Sequence, residues 1–171
     1  MHPALLEDDE LTAACVMTRG RSSGPGGQHR NKVQTMVTLL HTPTGVEAHA
    51  DERRSPEENR RMAIFRLRLA LATQIRLAPV ARDVWGDVRS DLWRSRVSKD
   101  GKIACSPTHR DYPSMLAEAM DVVEASGHDV KKAALRLACS MSQLVKFIKD
   151  HPPALERLNA VRRERGQHTL K

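Results

Sequence analysis

The sequence predicts an α+β fold: a small antiparallel sheet with one long helix and a projecting loop, followed by an all-α C-terminal region. Three observations support this. Residues 33–41 and 46–50 are rich in Val, Thr, Leu and Ala and flank the turn signal Pro43-Thr44-Gly45. Ser55-Pro56-Glu57-Glu58 is a strong helix start, with a capping Ser, Pro at the first helical position and Glu three residues after the cap. From Pro113 onward the pattern is helical, punctuated by Gly127, Pro152-Pro153 and Gly166.

Taken in order, residues 4–11 form a short acidic segment of one or two helical turns, and residues 12–18 read as a strand. Residues 22–32 (Ser-Ser-Gly-Pro-Gly-Gly-Gln-His-Arg-Asn-Lys) have neither hydrophobic period and three glycines, so they read as a loop. Val33, Thr35, Val37 and Leu39 alternate with Gln34, Met36, Thr38 and Leu40, which predicts a strand partly covered on both faces. The helix from Ser55 is expected to run to about residue 75 or 76. At 100° per residue it bears two apolar stripes, Met62-Phe65-Leu69-Ala72 and Ile64-Leu67-Leu71-Ile75. One stripe suffices for its own sheet, so the Ile64 stripe is expected against residues 113–166, with a dimer interface as the other cover. Arg61 and Arg68 fall between the stripes.

Residues 79–112 are a connector. Asp100-Gly101 between residues 91–97 and 102–105 suggests a hairpin. Trp85 and Trp93 are expected in the core rather than stacked on bases. Helices are expected over residues 114–125, 130–138, 141–149 and 154–165. The second and third have helix-turn-helix length, and Gln143, Lys146 and Lys149 lie on the third. The same geometry also serves packing alone. The domain division is 1–78, 79–112 and 113–171.

The net charge of +7 is uneven: −4 over residues 1–18, +9 over residues 19–110 and +2 over residues 111–171. The positive field therefore surrounds the loop, the long helix and the connector, which points to a polyanionic partner. The three cysteines are far apart, with no Cys-x-x-Cys and no His at ligand spacing. That disfavours a disulfide framework and a zinc site, and suits a reducing cytoplasm. The acidic start has no signal-peptide character and no run reaches membrane-span length, so neither secretion nor a membrane is expected. No Ser-His-Asp arrangement, paired-carboxylate signature or phosphate-binding Gly-rich motif with Lys is present.

Ser23-Gly24-Pro25-Gly26-Gly27-Gln28 with Asn31-Lys32, then Arg54-Ser55 and Asn59-Arg60-Arg61 leading into residues 63–71, resembles the GGQ domain of class I peptide chain release factors and their codon-independent relatives. The similarity spans roughly residues 13–76. It implies hydrolysis of the ester joining a nascent peptide to transfer RNA, with the loop in the peptidyl transferase centre of the large ribosomal subunit. It needs no cofactor or metal, in a protein expected to be monomeric. Gly26, Gly27 and Gln28 would be the catalytic residues. The glutamine side chain has no useful acid or base form, so it suits positioning a water. Its backbone N–H is the donor that the family directs at the developing oxyanion or leaving oxygen, and the two glycines let it turn outward. Arg19, Arg21, Arg30, Asn31, Lys32, Arg61 and Arg68 are the candidate RNA contacts, with Asn31 also bracing the loop. His29 is read as an RNA-contacting or solvent-exposed side chain. Relatives are methylated on the loop glutamine, which makes a glutamine methyltransferase a further partner for Gln28.

Two departures narrow the expectation. The sequence shows no codon-reading motif, and Arg162-Arg163-Glu164-Arg165 does not match the long basic tail of small rescue factors. Residues 113–166 look more like the extension of a bacterial group of release-factor-like proteins. The expected function is thus codon-independent release or rescue of stalled ribosomes. The alternative is a non-catalytic RNA- or ribosome-binding module with a helix-turn-helix-like C-terminal region.

Overall fold

Acidic residues favour the positive end of a helix macrodipole, and Asp8, Asp9 and Glu10 occupy the first turn of α1 (Asp8–Ala13). It follows a 3-10 turn at Pro3–Leu5 in the computed structural model of the chain, which describes residues 1–21, 34–80 and 86–171. This helix takes the first residues expected in a strand. Leu11 is buried, the Thr12 hydroxyl donates to Asp8 O at 2.8 Å, and β1 (Cys15–Gly20) begins only afterwards. β2 (Met36–His41) and β3 (Val46–Ala50) complete a three-stranded antiparallel meander in the order β1-β2-β3. Its register runs from Cys15 opposite His41 to Gly20 opposite Met36, and from His41 opposite Val46 to Val37 opposite Ala50. Val37 and Leu39 are buried and Met36, Thr38 and Leu40 half-buried, so both faces of β2 are partly covered as the alternation suggests.

α2 (Pro56–Gln74) starts where the sequence places it: Ser55 Oγ accepts the Glu58 N–H at 3.4 Å. It packs on β2, β3 and the N-terminal 3-10 turn. Ala63, Ile64, Leu67 and Leu71 are buried, on the side that also carries Asn59 to Thr35 and Arg66 to His49 O. This corrects the two-stripe expectation, because the Ile64-Leu67-Leu71 stripe serves the helix's own sheet. Met62, Phe65 and Leu69 are half-buried. Each fully buried leucine on that face contributes about 1.5–3 kcal/mol relative to exposure.

The chain divides into two compact units, Met1–Gln74 and Ile75–Lys171. In the second, α3 (Asp91–Arg96) replaces the first arm of the expected hairpin. Ser90 caps it, its Oγ accepting from Trp93 N at 3.0 Å, and Glu118 in turn accepts from Ser90 N at 2.7 Å. The Ser98–Gly101 turn does form, but only a single antiparallel bridge, Val97 to Ile103, follows from it.

α4 (Tyr112–Ala125), α5 (Val130–Arg136), α6 (Met141–Lys149) and α7 (Pro152–Glu164) make up the rest. Their core gathers three of the chain's few aromatic residues. Tyr112 and Phe147 ring centroids are 4.7 Å apart, and Trp93 meets Phe147 edge-on at 6.0 Å. Trp93 Nε1 donates to Leu137 O at 2.8 Å and the Tyr112 hydroxyl to Phe147 O at 2.7 Å, so both polar handles are satisfied. Trp93 is therefore a core residue, as expected; Trp85 lies outside the described residues.

Candidate nucleic-acid interface

The meander brings three chain passages to one end of the sheet. β1 leaves at Gly20 towards Arg21, β2 enters from Thr35, and β3 leaves at Ala50 towards Arg53 and Arg54. The connection between the first two is the Gly-rich segment. Ser22 to Val33 lie outside the described residues, and with them Gly26, Gly27, Gln28, His29, Arg30, Asn31 and Lys32. What the described residues define is the base on which that segment stands.

The base is held by Asn59 in the first turn of α2, whose side chain is fully buried. Its Nδ2 donates to Thr35 O at 2.6 Å and to Arg53 O at 2.9 Å, while Oδ1 accepts the Arg53 N–H at 2.9 Å. Two carbonyls on one side and an N–H on the other define the amide's orientation, since a flip would set its oxygen against both carbonyls. Beside it, Arg66 donates to His49 O and forms an ion pair with Glu52 at 2.5 Å. Burial pushes the Glu52 carboxyl up, but backbone hydrogen bonds and Arg66 outweigh it and leave Glu52 below its ordinary range.

The cations divide into engaged and displayed. Arg68, a candidate RNA contact by sequence, is turned into the fold: its side chain is 12% exposed, donating to Ala4 O at 3.0 Å and pairing with Asp8 at 2.7 Å. It ties α2 to the N-terminal segment. Arg61 stays 75% exposed on α2, 3.6 Å from Glu57. Arg19, Arg21, Arg53 and Arg54 are exposed or nearly so, and among the described residues none of them pairs with a carboxylate. A surface of unpaired guanidinium groups suits phosphate, which they bind bidentately. Arg53, Arg54 and Asn59 are what the sequence reading missed as site residues. The signal was the meander itself, since consecutive antiparallel strands place the exit of the third beside the exit of the first.

The helix-turn-helix pair offers less to a groove than its length suggests. Gln143 Oε1 accepts from Ile103 N at 3.3 Å, Lys146 lies 3.3 Å from Asp150, and the Ser140 N–H is taken by Gly101 O at 3.2 Å. The Ser98–Gly101 turn thus occupies the α5–α6 turn, which favours a packing role for the pair. Among the described residues no group of three His, Cys, Asp or Glu side chains is placed to hold a metal ion, and no helix is long and apolar enough to cross a membrane.

Residues 9–90 match the RF-1 domain. Peptide chain release factor 1 of Chloroherpeton thalassium is 40% identical over 84 residues, covering 49% of this chain and 22% of that protein. An uncharacterized mitochondrial peptide chain release factor-like protein of Saccharomyces cerevisiae, YLR281C, is 43% identical over 73 residues, 41% of this chain and 46% of that one. The chloroplastic peptide chain release factor PrfB1 of Arabidopsis thaliana is 34% identical over 79 residues. The chain thus spans between about a sixth and a half of the length of these relatives. No solved structure matches significantly. Through its first unit and the residues that follow it, the chain belongs to the RF-1 (GGQ) domain family, whose members catalyse peptidyl-tRNA hydrolysis on the ribosome.

Proposed function

We propose that this protein hydrolyses the peptidyl-tRNA ester on the ribosome without reading a stop codon, and so releases peptides from stalled ribosomes. The observation that carries the reading is Gly26-Gly27-Gln28, within an RF-1 domain, on a connection whose two ends meet at a sheet edge rimmed by unpaired arginines. Gln28 positions the attacking water and its backbone N–H faces the developing charge, while Gly26 and Gly27 allow the close approach. Arg19, Arg21, Arg30, Asn31, Lys32 and Arg61, joined by Arg53 and Arg54, meet ribosomal RNA phosphates. Codon independence is supported by the extent of the matches: release factor 1 aligns over at most 84 residues, and residues 91–164 fold as five helices around their own aromatic core. Gln28 is also the site at which a glutamine methyltransferase would act.

The test is release of formyl-methionine from ribosomes loaded with initiator transfer RNA, with and without messenger beyond the P-site codon. Release is expected in both cases, with no dependence on a stop codon. Gln28→Ala is expected to keep ribosome binding and slow release by about 10²–10³-fold. Gly27→Ala is expected to do comparable harm through its Cβ. Wild-type rates in both variants, or binding without any release, would leave only a ribosome-binding module.

A further inference from the structure

We infer that Asn59 is a positioning residue: it sets where the Gly-rich segment rejoins the sheet and, on the hydrolase reading proposed above, governs the rate of the chemical step. The amide spends both N–H groups and one oxygen site on backbone atoms of two other passages, and it does so without any exposure to solvent. One passage is Thr35, the residue immediately before β2. The other is Arg53, whose N–H and C=O are both held, in the turn between β3 and α2.

The placement matters because Thr35 lies next to Met36, the partner of Gly20 in the last register position of β1. The segment from Arg21 to Gln34 therefore departs and returns one strand pair apart, and its return point is tied to the first turn of a 19-residue helix. β1 does little to hold its own side. It is an edge strand with Val16 and Met17 about half exposed, and α2 packs on β2 and β3. The rigid reference for the segment is thus α2, reached through one side chain. A shift of about 1 Å in a group that positions a reacting atom costs up to about 10²-fold in rate.

Asn59→Ala and Asn59→Asp are to be assayed for release at several protein concentrations, and for amide hydrogen exchange, in the full-length chain. Alanine removes all three hydrogen bonds, and aspartate sets a carboxylate oxygen against two carbonyls. Leu11→Ala, a buried change beside the opposite end of the sheet, is the control for lost stability alone. Expected are a fall in kcat of about tenfold to a hundredfold at unchanged half-saturating concentration. Faster exchange at Met36 and Val37 than at His41 should accompany it, with neither effect in Leu11→Ala below its unfolding midpoint. Wild-type kcat in folded Asn59 variants, or exchange no faster at Met36 than at His41, would overturn the inference. If the wild type releases no peptide while Asn59→Ala speeds exchange at Met36, the hydrolase reading fails and the anchoring of the segment stands.

Discussion

Arg53 and Arg68 show how much a guanidinium's role depends on what lies within reach. Both sit in the basic stretch of the sequence, and both could be drawn as RNA contacts. Arg68 finds Ala4 O and Asp8 and becomes an internal brace, while Arg53 has its backbone pinned by Asn59 and its side chain left in solvent. Arg54 beside it is likewise exposed. If these two meet phosphates, replacing both with alanine should weaken ribosome binding and reduce the slope of log affinity against log salt by roughly one unit per lost contact. The release rate at saturation should stay near wild type. Filter binding across a salt series reads the slope directly, and an unchanged slope would remove both residues from the interface.

The helices of the second unit close with the same device three times. After α4 the N–H of His128 reaches Val123 O and that of Gly127 reaches Glu124 O; after α7 Gln167 and Gly166 do the same to Arg162 and Arg163. After α5 the donors are Cys139 to Ala134 O and Ala138 to Leu135 O, and the residue that must turn left-handed is Ala138, at φ 50°. Gly127 and Gly166 announce their helix ends in the sequence, whereas an alanine gives no such signal. A left-handed alanine costs roughly 1–2 kcal/mol that glycine largely avoids, so Ala138→Gly should stabilise this unit by about 1 kcal/mol. The midpoint of urea unfolding followed by tryptophan fluorescence would show it. An unchanged or lower midpoint would mean that flexibility gained by the unfolded chain cancels the relief.

At the scale of the whole molecule there are two cores of different character. Residues 1–74 bury leucine, isoleucine, valine and alanine between sheet and α2, and residues 75–171 are organised on Trp93, Tyr112 and Phe147. Both tryptophans of the chain, Trp85 and Trp93, belong to the second unit. Fluorescence therefore reports that unit, while far-ultraviolet ellipticity reports both. Leu71→Ala removes a fully buried side chain from the first core and should cost about 2–5 kcal/mol there. The expected result is a lower transition in ellipticity with the fluorescence midpoint unmoved. Midpoints that fall together would make the two units one cooperative block.

The sequence by itself determined the parts whose cause is local. The start of α2 follows from Ser55-Pro56-Glu57-Glu58, β3 and its turn from Pro43-Thr44-Gly45, the α4 and α7 ends from glycine, and the loop and its family from Gly26-Gly27-Gln28 with its flanks. Tertiary structure decided what depends on a distant partner. Residues 91–96 became helical because Ser90 caps them and Trp93 has Leu137 O and Phe147 to pack against, contacts no local pattern displays. The Ile64 stripe went to the sheet because the strand order and the Asn59 and Arg66 bonds fix the rotation of α2. Arg53, Arg54 and Asn59 joined the loop's base because antiparallel pairing sets the exits of β1 and β3 at the same end, a consequence of register rather than of any residue's own preference.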